Sequence, residues 1–201
     1  MALEKTKPEA PRSFPTILRH VVDYLPPSSQ PPARDPQTRA RKLGSIAAMK
    51  AAAFSGALSM PPGPLGLLTL IPDLLGIWKI QSQLAADIAA VYGKTGYLTR
   101  ESLLYCLFRH GAAHAIRDVV VRSGQRLLIR KITLEATDTV LRKVGIRLTE
   151  RLAAKAVTRW LPIIGAVGVG AYAYFDTGEV AKTAIQMFSS DLHFGEKASR
   201  S

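Results

Sequence analysis

Apolar residues recur at intervals of three and four along most of the chain, which is the spacing of one buried helix face. No stretch of useful length alternates between apolar and polar residues, as a half-buried strand would. We therefore expect an all-α fold, a compact helical bundle with short connections. The pattern predicts helices over residues 45–60, 74–92, 125–143, 149–160 and 177–188, with a further helix starting after Thr99.

The first 40 residues differ from the rest, because they contain eight of the chain's thirteen prolines. Proline lacks a backbone N–H and clashes with the preceding helical turn. Only residues 16–25 keep a helical spacing of apolar side chains there, so we expect one short amphipathic helix. This composition predicts a Pro-rich tail over 1–40, a helical domain over 41–190 and a disordered tail over 191–201.

Several residues are typical of helix ends. Asp73 precedes a long helical pattern, so its carboxylate is expected to cap that helix and to favour its positive end. Gly93 follows the same pattern and suits the left-handed residue that commonly ends a helix. Thr99 and Thr177 are expected to cap the helices that follow them.

Two stretches carry no charged residue, 51–72 and 160–175. Prolines and a glycine over 61–64 divide the first stretch, which favours two short helices meeting at a turn over a membrane span. The second stretch is rich in small residues, which let another helix approach closely. We expect it to pack in the core of a bundle or to insert into a membrane interface. Its small residues are Gly165, Ala166, Gly168 and Gly170.

Basic residues recur every four positions from 147 to 159, so they share one face of the predicted helix. We name Arg147, Arg151, Lys155 and Arg159 the basic row; Trp160 follows it directly. Like charges at this spacing repel each other, and an anionic surface would relieve that repulsion. A second basic row precedes it and comprises Arg122, Arg126 and Arg130.

The whole chain has a formal net charge of +12, which favours an anionic partner. Residues 100–159 contain thirteen Lys or Arg against five Asp or Glu, and so carry two-thirds of that charge. A basic face next to a tryptophan and an apolar segment is what binding at a membrane interface requires. Nucleic acid is a weaker candidate partner, since no zinc-finger spacing or RNA-binding aromatic motif is present.

No residue pattern identifies a reaction. The chain has no nucleophile elbow, phosphate-binding loop, metalloprotease motif or dinucleotide fingerprint. Cys106, His110, His114 and Asp118 follow one another every four residues. The direction of such a row drifts by about 120° along one straight helix, so its four side chains cannot enclose a metal. Adjacent pairs such as His110 and His114 are the weak metal candidates that remain, and we assign no cofactor.

Several short motifs follow one another along the chain. The first runs from Pro64 through Pro72 and Asp73, and is followed by one that ends in Tyr92 and Gly93. Others are Gly-Ile-Arg-Leu-Thr at 145–149 and Leu-Pro-Ile-Ile-Gly-Ala-Val-Gly at 161–168, which contains Pro162, with Ala181 further on. In this order the motifs resemble the EcsC family of bacterial proteins. Where that family often has an asparagine, this chain has Ala171 and Ala173. The resemblance covers about residues 42–190 and implies a helical fold and a bacterial source. It implies no mechanism, because the family is named for an operon containing an ABC transporter and has no settled activity.

Our leading hypothesis is a non-enzymatic helical protein that associates peripherally with an anionic phospholipid membrane, or with a membrane protein. The contacts would come from the basic row and from the neighbouring uncharged stretch 160–175, which we name the Gly-rich segment. One alternative is a hydrolase or metal-dependent enzyme with a helical cleft around Asp73 or the His110 and His114 pair. Another is a soluble homo-oligomer that buries the Gly-rich segment against its copy. We expect a cytoplasmic, membrane-associated protein without a cleaved signal peptide, because residues 1–14 lack an apolar stretch.

Overall fold

The computed structural model describes residues 23–58, 70–116, 120–123, 126–130, 139, 142 and 162–195. This part of the chain is mostly helical, so the prediction of an all-α bundle is confirmed. Four α-helices and one short 3-10 helix are described, together with three short strands. The helices are α1 (Pro36–Leu58), α2 (Leu70–Val91), α3 (Arg100–Ile116) and α4 (Pro162–Ser189), with the 3-10 helix at Thr95–Tyr97. The strands are β1 (Val120–Ser123), β2 (Arg126–Arg130) and β3 (Asp191–Gly195).

The core lies where α2, α3 and α4 meet. Trp78 of α2 and Phe108 of α3 pack edge to face, with ring centroids 5.8 Å apart. Large apolar side chains from the same three helices surround this pair, and include Ile88, Leu103, Leu104, Met187 and Phe188. Burying each of these side chains contributes about 1.5–3 kcal/mol, so this cluster is the main source of stability.

Small residues bring α1 against α4. A Cβ built on Gly44 would lie only 2.8 Å from the Cβ of Ala181, so no larger side chain fits there. One built on Gly170 would lie 3.0 Å from the carbonyl oxygen of Ala52. The two backbones therefore approach closely, as small residues at a helix crossing allow.

Two of the helix-end predictions are confirmed. Gly93 has φ +66°, and the N–H of Lys94 donates to the carbonyl of Ala89 at 2.8 Å, as in a Schellman motif. Thr99 precedes α3, where its Oγ1 accepts from the N–H of Ser102 at 3.3 Å. The Ser102 hydroxyl in turn accepts from the N–H of Thr99 at 2.7 Å, and together they form a capping box.

The caps predicted at Asp73 and Thr177 are wrong, although Asp73 does lie at the positive end of its helix as predicted. α2 begins at Leu70, so Asp73 lies within the first turn rather than before it. α4 continues without a break through Thr177, which is fully buried in its interior. The prediction fails there because a threonine whose hydroxyl bonds to a neighbouring helix is tolerated inside a helix. The neighbouring helix cannot be known from the local sequence.

The small sheet is absent from the sequence predictions. β1 and β2 form an antiparallel hairpin, and β3 pairs with β2 in parallel, in the order β1-β2-β3. The helix predicted over 125–143 is therefore wrong over β2, and the disordered tail predicted over 191–201 is wrong over β3. Leu127 and Ile129 of β2 and Leu192 of β3 are buried, so these two strands rest on the helical core. Each strand is too short for its period of two to be read from sequence.

The predicted boundary between residues 40 and 41 falls inside α1. Pro36 begins this helix, a position where a missing N–H costs nothing. Asp35 caps it, because its Oδ1 accepts from the N–H of Thr38 at 3.1 Å. This hydrogen bonding from Thr38 lowers the pKa of Asp35. The preceding segment lies along α2, where the N–H of Ala33 donates to the carbonyl of Val91 at 3.0 Å. The amphipathic helix predicted over 16–25 lies largely outside the described residues.

Candidate functional site

The first half of α4 presents an exposed surface that contains no charge. Its most exposed members, Val167 and Phe175, are 69% and 70% exposed. The rings of Tyr174 and Phe175 contact each other edge to face, with centroids 5.7 Å apart. We name this surface the α4 face; it comprises Val167, Gly168, Ala171, Tyr172, Tyr174 and Phe175.

The opposite side of the same half-helix is buried against α1. Gly170 lies against the backbone of Ala52, and Ala173 is fully buried. Gly168, in contrast, has open space where a side chain would project. The segment is thus half buried and half exposed, and its small residues do not all serve one contact. Gly165, Ala166 and Pro162 also lie in α4.

The second basic row does not exist as a helical row. Arg122 lies in β1, and its Cα pairs with that of Leu127, whereas Arg126 and Arg130 are the ends of β2. The prediction is wrong because it depends on the helix over 125–143. All four residues of the basic row, with Trp160, lie outside the described residues.

No helix among the described residues is long and apolar enough to cross a membrane.

A polar cluster joins α2, α3 and α4 near the middle of the bundle. His110 Nε2 lies 2.8 Å from Asp176 Oδ1, and Gln81 Nε2 donates to Asp176 Oδ2 at the same distance. Gln81 Nε2 also lies 3.3 Å from the hydroxyl of Thr177. A His–carboxylate pair can act as a general base, but the hydroxyl next to it, Thr177, is fully buried. The contacts of the cluster hold three helices together.

Asp73 belongs to a separate contact between α1 and α2. It is 5% exposed, and its Oδ2 accepts from the hydroxyl of Ser55 at 3.1 Å. A carboxylate in the first turn of a helix is favoured by the positive helix end. This contact explains Asp73 as a residue that joins two helices, and Pro72 before it is exposed.

Cys106 cannot act as a thiolate ligand in the folded chain. It is fully buried, and burial raises the pKa of its thiol to about 12. Its Sγ contacts the Sδ of Met187 at 3.8 Å, inside the core. Among the described residues no group of three or more His, Cys, Asp or Glu could hold a metal ion. His114 lies in α3, and Asp118 falls outside the described residues.

Sequence reasoning missed two members of the cluster around His110, namely Asp176, which contacts His110, and Gln81, which contacts Asp176. Gln81 is 1% exposed, and a buried amide on an otherwise apolar helix face was the available signal. Asp176 directly follows the uncharged stretch 160–175, and no local pattern marks it as a partner of His110. Tyr92, a motif residue, follows α2, and burial raises the pKa of its hydroxyl.

Comparison with known proteins identifies no relative. No protein-family model matches the chain, and no curated protein or solved structure matches it either. The resemblance to the EcsC family therefore remains a prediction from sequence.

Proposed function

We propose that this protein associates peripherally with anionic membrane, with the α4 face in the interface and the basic row near the lipid headgroups. The observation that carries the proposal is the exposed, uncharged α4 face with its aromatic pair. Tyrosine and other aromatic side chains are favoured at the boundary between headgroups and acyl chains. The net charge of +12 selects an anionic surface over a neutral one.

The size of each contribution supports a reversible association. Moving an exposed Phe175 side chain out of water contributes about 1.5–3 kcal/mol. Each basic residue close to an anionic leaflet adds about 1 kcal/mol. The α4 face and the four residues of the basic row together therefore suffice for peripheral binding without insertion of a whole helix. Membership of the EcsC family is part of the same proposal.

Co-sedimentation with vesicles tests this function. The full chain should co-sediment with anionic vesicles that contain phosphatidylglycerol, and should bind neutral phosphatidylcholine vesicles only weakly. Phe175→Glu should weaken binding to anionic vesicles by at least about tenfold, because a carboxylate replaces an apolar side chain at the interface. Replacing Arg151 and Lys155 by glutamine should reduce the preference for anionic vesicles by about fivefold per residue.

Ile46→Glu is the matched control, since Ile46 is exposed on α1 and lies outside the α4 face. It should bind anionic vesicles as the unmodified chain does. Equal binding to neutral and anionic vesicles, or binding that Phe175→Glu leaves unchanged, would contradict the proposal. A stable dimer in light scattering that Phe175→Glu dissociates would instead assign the α4 face to contact with a second copy.

A further inference from the structure

A groove of about 800 Å³ runs between α1 and α2, on a side of α1 different from its contact with α4. This volume lies within the range of small-molecule sites, and apolar side chains form most of the walls. Tyr24 and Pro26, from the segment before α1, close one end. The apolar walls include Leu43, Ile46, Ala47, Phe54, Leu75 and Leu84.

Two lysines, Lys50 of α1 and Lys79 of α2, line this groove. Ser55 bonds to Asp73, and the ring of Phe54 covers Gly76, which sets the register of the α1–α2 contact near one end. At the other end the segment before α1 bonds to the carbonyl of Val91, so the two helices are antiparallel. Counting back along α1 and forward along α2 from the Ser55 contact places Lys50 level with Lys79. Both lysines line the groove, and neither has an acidic partner among the described residues.

A buried hydroxyl adds a third donor close to these lysines. Ser82 lies one turn beyond Lys79 on α2, lines the groove and is 3% exposed. Its Oγ has no hydrogen-bond partner among the described residues, which is unusual for a buried polar atom. Asp87 also lines the groove, where its Oδ1 accepts from Ser28 and Gln83. It lies about two turns of α2 beyond Lys79, at the end of the groove away from the lysines.

We propose that the α1–α2 groove binds one molecule of a single-chain anionic amphiphile, a fatty acid. Its carboxylate would lie between the ammonium groups of Lys50 and Lys79, within reach of Ser82. Its chain would follow the apolar walls from Lys50 towards Leu43, a stretch of about 10 Å at 1.5 Å per residue. An anion there relieves the repulsion between the two lysines, and charge-assisted hydrogen bonds strengthen its binding. The site goes beyond membrane association, because it takes a free monomer rather than a bilayer surface.

Calorimetric titration of the full chain with decanoate, below its micelle concentration and without vesicles, tests the proposal. Decanoate should bind with a stoichiometry of one, and decanol, which has the same chain and no charge, at least about tenfold more weakly. The double variant Lys50→Gln/Lys79→Gln should lose at least about tenfold in decanoate affinity. Lys42→Gln, an exposed lysine of α1 outside the groove, should bind decanoate unchanged.

Ile46→Glu should also abolish decanoate binding, because it places a carboxylate against the groove wall. Met49→Glu is its control on the same helix, since Met49 is exposed and does not line the groove. Equal affinity for decanoate and decanol, or equal effects of these two variants, would overturn the proposal. So would a dimer that Ile46→Glu dissociates and decanoate leaves intact, because the groove would then be a protein interface.

The two proposals fail separately. Phe175→Glu should lose vesicle binding and keep decanoate binding. Ile46→Glu should keep vesicle binding and lose decanoate binding. A Phe175→Glu protein that folds and has lost decanoate affinity would overturn the groove as an independent site.

Discussion

At the scale of the residue, burial decides what Cys106 can do. The sequence places it in a row with His110 and His114, which permits a metal site. The fold instead encloses the thiol against Met187, where a charged thiolate is strongly disfavoured. A helical spacing cannot separate the two outcomes, because the same spacing serves a ligand face and a core face.

We predict that this buried thiol makes stability depend on pH in the alkaline range. The unfolded thiol ionises near its ordinary pKa of 9.0, whereas burial raises the pKa of folded Cys106 to about 12. Between those values only the unfolded chain releases the proton, so stability present below pH 9 is lost as the pH rises. The loss should reach about 1.4 kcal/mol per pH unit. Urea denaturation of the unmodified chain and of Cys106→Ala should show a shallower decline for the variant, and equal slopes would contradict the prediction.

At the scale of the element, α4 passes through three different environments along its length. Its first half is exposed on one side, its middle carries Asp176 towards α2 and α3, and its end enters the core. The sequence suggested two helices divided at Thr177, since threonine is typical of a helix start. Both side chains are instead occupied by Gln81 and His110 of neighbouring helices.

We predict that Asp176→Ala lowers the free energy of unfolding by about 1–3 kcal/mol, because it leaves buried donors of Gln81 without their acceptor. A double-mutant cycle with His110→Ala should show coupling between the two positions. Glu179→Ala is the matched control on α4, since Glu179 pairs with Lys182 at the surface. Its change should stay within about 0.5 kcal/mol. Additive effects of Asp176→Ala and His110→Ala would show that their contact contributes nothing.

At the scale of the whole molecule, the parallel pairing of β2 with β3 ties the end of α4 to a hairpin some sixty residues earlier. This pairing turns a segment that looks like a frayed tail into part of the core, through Leu192. The register aligns Leu127 with Leu192, and both are buried. A contact between positions so far apart leaves no local trace in either segment.

We predict that Leu192→Ala lowers the free energy of unfolding by about 2–4 kcal/mol, the cost of a cavity in a packed core. His193→Ala, one position further along β3 and exposed, should change it by less than about 0.5 kcal/mol. Thermal unfolding followed by circular dichroism measures both variants. Similar losses for the two would show that β3 does not pack on the core.

The sequence by itself determined the features that depend on neighbouring residues. Helical periodicity identified the bundle, and local chemistry identified the helix end at Gly93 and the cap at Thr99. Only the tertiary structure decided the features that depend on distant residues. These are the burial of Cys106, the use of Asp176 between three helices, the exposure of the α4 face and the pairing of β2 with β3. The reason is physical. Caps and turns are set by hydrogen bonds between residues a few positions apart, whereas the burial of a residue is set by the distant segments of the chain that pack against it.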